Sequence, residues 1–179
     1  MKQQVENRKY YEAYDERYKQ IHSMNLEWEA NVHSPIIDEI IAKLKLNHQS
    51  RILELGCGEG RDAIYSIAVL HMLVLEDDRN KFLAFVREHL NENGYGLILT
   101  MGDGEMERSS DISNAFDKQE RVHVETGTKV CIASTSCKIV SFTTLEREIE
   151  ENGLSIVEKG ITAIEPGFPM IMYAIVKKK

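Results

Sequence analysis

Residues 51–60, Arg-Ile-Leu-Glu-Leu-Gly-Cys-Gly-Glu-Gly, constrain this chain more than any other stretch. A short apolar strand runs directly into a loop with glycine at Gly56, Gly58 and Gly60. Glycine opens backbone angles closed to other residues and lets a ligand reach the main chain without meeting a Cβ. A strand, a glycine loop and a helix start together make a nucleotide-type ligand site at the carboxyl end of a parallel sheet. Gly-x-Gly-x-Gly spacing also occurs in plain turns, so the surrounding residues must decide what the loop is for.

Those surroundings alternate between helical and extended patterns. Tyr10, Tyr11, Tyr14 and Tyr18 recur at helical spacing over residues 5–22, as an amphipathic helix with inward tyrosines would have them. Ser34-Pro35 is a helix start, serine capping and proline at the first helical position. That helix should run to about Leu44 with Ile36, Ile37, Ile40, Ile41 and Leu44 on one face. A second helix is expected from about Asp77 to Leu90, with Phe82, Phe85, Val86 and Leu90 inward and Asn93-Gly94 ending it. Residues 96–101 are a near-continuous apolar run, the pattern of a buried parallel strand. Residues 102–119 read as a mobile polar surface loop. Residues 121–125 and 129–133 alternate around Thr126-Gly127-Thr128, a hairpin signal. Thr143 and Glu146 have the spacing of a capping box for a helix that Asn152-Gly153 ends. Two closing strands follow near residues 154–159 and 170–176, separated by Glu165-Pro166-Gly167. With 179 residues and 42% hydrophobic content, the chain is long enough for one compact domain. Within it, residues 1–48 would be an N-terminal helical cap and residues 102–141 a loop and β-hairpin insertion.

Glu-Leu-Gly-Cys-Gly-Glu-Gly (54–60) closely resembles the first motif of the class I S-adenosylmethionine-dependent methyltransferases. Ile-Tyr-Ser-Ile-Ala-Val-Leu-His-Met-Leu (64–73), then Asp78-Arg79, the helix and Asn-Glu-Asn-Gly-Tyr-Gly-Leu-Ile-Leu, resembles the same family's fourth strand, following helix and fifth strand. The closing helix and strand pair suit its sixth and seventh strands, the seventh running antiparallel. The resemblance covers the chain from about residue 34 onward. It implies an α/β fold: a Rossmann-like class I methyltransferase sheet, shortened, with a terminal antiparallel strand. Shortening is implied because the fourth-strand pattern follows Gly60 almost at once. Two strand–helix steps of roughly 30 residues each are unaccounted for there. A rival reading makes residues 61–70 a short crossover helix and 71–75 the second strand, leaving Glu76 or Asp77 to bind a ribose. Against it, no Gly, Pro or Asn separates that helix from that strand. Glu76, Asp77 and Asp78 also suit the start of a helix, where acids complement the dipole.

The resemblance further implies S-adenosylmethionine as cofactor, its methionine end against the glycine loop. That role is carried to Glu54, which orients the loop or the cofactor's amino group, and to Gly56, Cys57, Gly58 and Gly60. His71 falls where the fourth strand gives way to its helix, on the substrate side in the family. It is a candidate base there, or a hydrogen-bonded structural histidine. Trp28 either stacks on the substrate or plugs the core. Methyl transfer from a sulfonium depends mainly on holding the nucleophile in line, so no catalytic triad is expected, and no spacing suggests one. The third glycine comes one residue too early for the Gly-x-Gly-x-x-Gly of nicotinamide-binding folds.

Composition narrows the partners. A net charge of −7 without a basic cluster argues against nucleic-acid phosphates, and the resemblance implies a small-molecule acceptor. Cys57, Cys131 and Cys137 form no CxxC pair, the six histidines show no zinc spacing, and so no metal is expected. No apolar run has membrane-spanning length and the N-terminus lacks a hydrophobic leader, so the chain reads as soluble and cytoplasmic. A sheet without its second and third strands exposes edges that a partner subunit or a domain swap would cover. The competing class is a non-catalytic, methyltransferase-like binding or oligomerisation module.

Overall fold

The computed structural model describes residues 9–24, 35–50, 69–123, 127–163 and 170–179. The strand at 51–55, the glycine loop, the join at 61–68, Trp28 and Ser34 lie outside them. The described parts form two compact units, one from Met1–Glu29 with Ser109–Cys137 and one from Ala30–Arg108 with Lys138–Lys179.

The second unit is α/β. Its sheet has the order β1–β7–β6, where β1 is Gly96–Met101, β6 is Leu154–Thr162 and β7 is Ile171–Lys178. The last strand lies between the other two and runs antiparallel to both, the terminal antiparallel strand that was expected. Alternation along β1 explains how both faces are covered. Leu97 and Leu99 meet Ile36, Ile37 and Ile40 of helix α2 (Pro35–Lys43), with Ile171 and Ile175 of β7. Ile98 points the other way, into a cluster with Leu83 of α3 (Glu76–His89) and Leu145 and Ile149 of α4 (Phe142–Glu151). Each fully buried aliphatic side chain contributes about 1.5–3 kcal/mol, so this two-sided burial is what holds the strand. The apolar run of β1 therefore reflects burial on both faces. Its partner among the described residues, β7, is antiparallel, not parallel.

Helix boundaries follow local chemistry, with two corrections. α4 is capped by Ser141, whose hydroxyl accepts from the Thr144 N–H, and not by Thr143. Glu146, the other half of the expected box, pairs with Lys159 of β6 instead. Asn152 and Gly153, the latter at φ 76°, end the helix as expected. On α3, Phe85 is not inward but exposed, stacked on His89. The buried stripe there holds Arg79 and Leu83, with Phe82, Val86 and Leu90 packed beside them.

Residues 102–119 are not an irregular loop throughout. Asp103 accepts from the backbone N–H groups of Glu105 and Met106, folding the chain tightly after β1. Gly104, at φ 86°, lies so close under Phe142 that a Cβ would come 2.5 Å from the ring. Glu107 accepts from the hydroxyls of Ser141 and Thr144. The chain leaves this unit in the two-residue strand β2 (Arg108–Ser109) and returns at β5 (Lys138–Ile139).

In the first unit, helix α1 (Glu12–Ser23) packs on a hairpin of β3 (Lys118–Val122) and β4 (Lys129–Ala133). The hairpin was expected; β3 starts three residues earlier than its alternation suggested. Tyr10, Ala13, Arg17 and Ile21 form the buried stripe, and Ile21 meets Val130 and Ile132. Arg17 Nε donates to the Ala133 carbonyl at 2.8 Å, and Gln20 Oε1 accepts from the Ala133 N–H at 2.7 Å. Tyr14 donates to the Ser136 carbonyl at 2.9 Å.

Candidate functional site

His71 is the sequence-predicted site residue that the described structure places. It sits in a single 3₁₀ turn, Leu70–Met72, that packs against β1 and β5. The expected fourth-strand pattern over 64–73 is thus not a strand at Leu70–Met72, and its residues 64–68 lie outside the described residues. The rival assignment of residues 71–75 to a strand is overturned, since that stretch opens in the 3₁₀ turn and leads into α3 at Glu76. Glu76 and Asp77 are exposed in the first turn of α3, where their charge meets the helix dipole.

Beside the turn lies a buried ion pair that sequence reading missed. The Arg79 guanidinium donates from Nε to both Glu148 oxygens at 2.9 and 3.0 Å, and from Nη2 to Oε2 at 2.5 Å. Its Nη1 donates to the carbonyls of Leu70 at 2.7 Å and Leu73 at 3.1 Å. The two side chains are 0% and 3% exposed, and Lys138 Nζ lies 3.7 Å from the carboxylate. Helical spacing was the available signal. Arg79 shares the face of Leu83 and Val86, and Glu148 that of Leu145 and Ile149, so each puts a charge on an apolar stripe.

Burial, reinforced by the neighbouring Arg79 cation, pushes the His71 imidazole down to about 4. At neutral pH the ring is uncharged, with one nitrogen donating and the other accepting. Its Nδ1 is buried and has no hydrogen-bond partner. The Thr100 hydroxyl, fully buried near the end of β1, also has none. Orphaned buried polar atoms are rare because each forgoes a hydrogen bond to water. A neutral histidine with a ring nitrogen left over can accept a hydrogen bond and so orient a polar ligand.

No protein-family model matches the sequence, and no curated protein matches it either. Among solved structures, the chain is similar to the CcbJ methyltransferase from Streptomyces caelestis, at TM-score 0.41 and 11% identity over 62% of this chain and 57% of that one. It is similar to the glycopeptide N-methyltransferase MtfA complexed with S-adenosyl-L-homocysteine, at TM-score 0.38 and 18% identity over 58% and 49%. A third, an S-adenosylmethionine-dependent methyltransferase from Clostridium acetobutylicum, has TM-score 0.41 and 12% identity over 79% and 69%. The chain spans 57% and 49% of the length of the first two.

The remaining site residues, Glu54, Gly56, Cys57, Gly58, Gly60 and Trp28, lie outside the described residues. Among the described residues of the second unit, His71 Nδ1 and the Thr100 hydroxyl are the buried side-chain polar atoms without a hydrogen-bond partner. No cluster of metal-ligating side chains occurs among the described residues, and no described helix is long and apolar enough to cross a membrane.

Proposed function

We propose that the chain binds S-adenosylmethionine through Glu54, Gly56, Cys57, Gly58 and Gly60 and transfers its methyl group to a small-molecule acceptor held near His71. The observation that carries this reading is the sequence Glu-Leu-Gly-Cys-Gly-Glu-Gly at 54–60, ahead of a helix and sheet whose final strand runs antiparallel. Bound cofactor supplies an activated sulfonium methyl. The chain's own residues then need only orient the acceptor, and the His71 ring, which burial and Arg79 keep uncharged, suits that task by accepting a hydrogen bond from it. The acidic composition favours a small acceptor over a polyanion. Incubation with methyl-labelled S-adenosylmethionine and a panel of small amines, phenols and thiols tests it. Label transfer that His71→Ala diminishes is the expected result.

One observation favours a second reading. Only eight residues separate Gly60 from Val69, too few for the crossover helix and two strands that complete the cofactor pocket in the family. On this reading the chain is a non-catalytic module that keeps the scaffold, and its sheet edge is covered by a second subunit or a swapped segment. Ligand binding without label transfer, from a dimer in sedimentation, is what that alternative predicts.

A further inference from the structure

We propose that Arg79 is a positioning residue for this site: it grips the 3₁₀ turn at Leu70 and Leu73 and, braced by Glu148, holds the His71 imidazole with Nδ1 unpaired and available to the methyl acceptor. The assignment of the partner as an acceptor rests on the methyl-transfer reading; the positioning itself rests on geometry. Pairing with Glu148 occupies Nε and Nη2 of the guanidinium. Its Nη1 donates to the two carbonyls that bracket the turn, one of them from the residue just before His71.

The turn needs that grip. A single 3₁₀ turn has poor hydrogen-bond geometry of its own. This one is closed by Met72 N–H to the Val69 carbonyl at 2.9 Å and Leu73 N–H to the Leu70 carbonyl at 3.2 Å. The Leu70 carbonyl accepts from both Leu73 and Arg79, so the guanidinium completes what the backbone only half supplies.

Charge works in the same direction. Among the described residues, Arg79 from α3, Glu148 from α4 and Lys138 from β5 are the ionised groups around the turn, and β1 contributes no titratable side chain. Arg79 disfavours a second cation on the ring, which leaves a neutral imidazole able to accept a hydrogen bond. The planar fork matters as well as the charge, because lysine carries the charge without the bidentate geometry.

The test is ring-nitrogen NMR titration of His71 together with amide exchange, on the full chain. It compares wild type, Arg79→Lys and the double variant Arg79→Met/Glu148→Met, which removes both charges and keeps the core apolar. In wild type His71 should titrate near 4. The double variant should raise that midpoint measurably, while burial still holds it below the ordinary histidine range of about 6.5. It should also speed exchange at Met72 and Leu73 by about tenfold while Leu99 of β1 is unchanged, since local opening reports local contacts. Arg79→Lys should keep the low midpoint yet speed exchange at Met72 and Leu73, separating charge from grip. An unmoved midpoint with unmoved exchange in the double variant would overturn the proposal. So would acceleration of Leu73 and Leu99 together, the mark of a merely structural pair. Titration of wild type with S-adenosylhomocysteine separates the two readings. Without binding, the predicted His71 responses would leave Arg79 as the positioning residue and remove the methyl-transfer reading. Binding without those responses would remove the proposal and leave the reading.

Discussion

Replacing Glu148 with alanine leaves the Arg79 guanidinium buried, with two carbonyls but no counter-charge. Both side chains are essentially excluded from solvent, at 0% and 3% exposure, so water cannot compensate. Breaking a buried pair by removing one partner costs about 3–5 kcal/mol. Against a typical total of about 5–15 kcal/mol, that is roughly a fifth of the stability or more. Removing both partners is different, because the cost of burying two charges also disappears. Arg79→Met/Glu148→Met should come within about 1 kcal/mol of wild type or exceed it. Urea denaturation followed by circular dichroism, on wild type, Arg79→Met, Glu148→Met and the double, closes a thermodynamic cycle, with Glu148→Ala measured beside them. At a slope of about 2 kcal/mol per molar urea, Glu148→Ala should lower the midpoint by about 1.5–2.5 M. Glu146→Ala is the control. Its Lys159 partner and Glu146 itself are 40% and 37% exposed, and an exposed pair is worth about 1 kcal/mol or less. A Glu148→Ala cost below about 1 kcal/mol, or single-variant effects that simply add in the double, would refute this account of the pair.

Three further outcomes follow from the same structure. His71 has a folded value of about 4 against about 6.5 unfolded, so the unfolded chain binds the extra proton between those values. Stability should therefore be full above pH 6.5 and fall by about 3 kcal/mol toward pH 4, a slope that His71→Leu should flatten in pH-dependent denaturation. Ser141→Ala should cost about 1 kcal/mol by removing the α4 cap, whereas Thr143→Ala should be nearly neutral; equal effects in thermal melts would contradict the assigned cap. Gly104→Ala should lower the melting temperature by several degrees, because the residue sits at φ 86° and its Cβ would strike the Phe142 ring. An unchanged melt would mean that the Phe142 packing is not as described.

How much was legible depended on whether local pattern or tertiary context decided each element. α2, α3, β1, the β3–β4 hairpin, α4 and the two closing strands follow apolar period, turn residues and stop signals, and all appear within a few residues of expectation. The cap of α4 was misplaced because two adjacent stretches, Ser141–Thr144 and Thr143–Glu146, both have capping spacing; the structure spends Glu146 on Lys159. Phe85 was taken as core because it is apolar, but its position on α3 turns it outward against His89. The apolar run of β1, the pattern of a buried parallel strand, records burial on both faces, and the partner described for it, β7, is antiparallel. At the site, His71 was legible from the block around it. Arg79 and Glu148 were not singled out because each alone is one charge on an apolar stripe, and only folding brings the 69 residues between them together. The division into two units was hidden for a similar reason, since α1 and residues 109–137 meet only through tertiary contacts.

The central claim is that the loop at Gly56, Gly58 and Gly60 receives S-adenosylmethionine. Calorimetric titration of the folded chain with S-adenosylhomocysteine, beside Gly58→Asp, tests it most directly. The account predicts saturable heat for the wild-type chain and none for the variant, whose new carboxylate would occupy the loop's close approach to the ligand. A heat-silent titration of folded wild-type protein at millimolar ligand would contradict it.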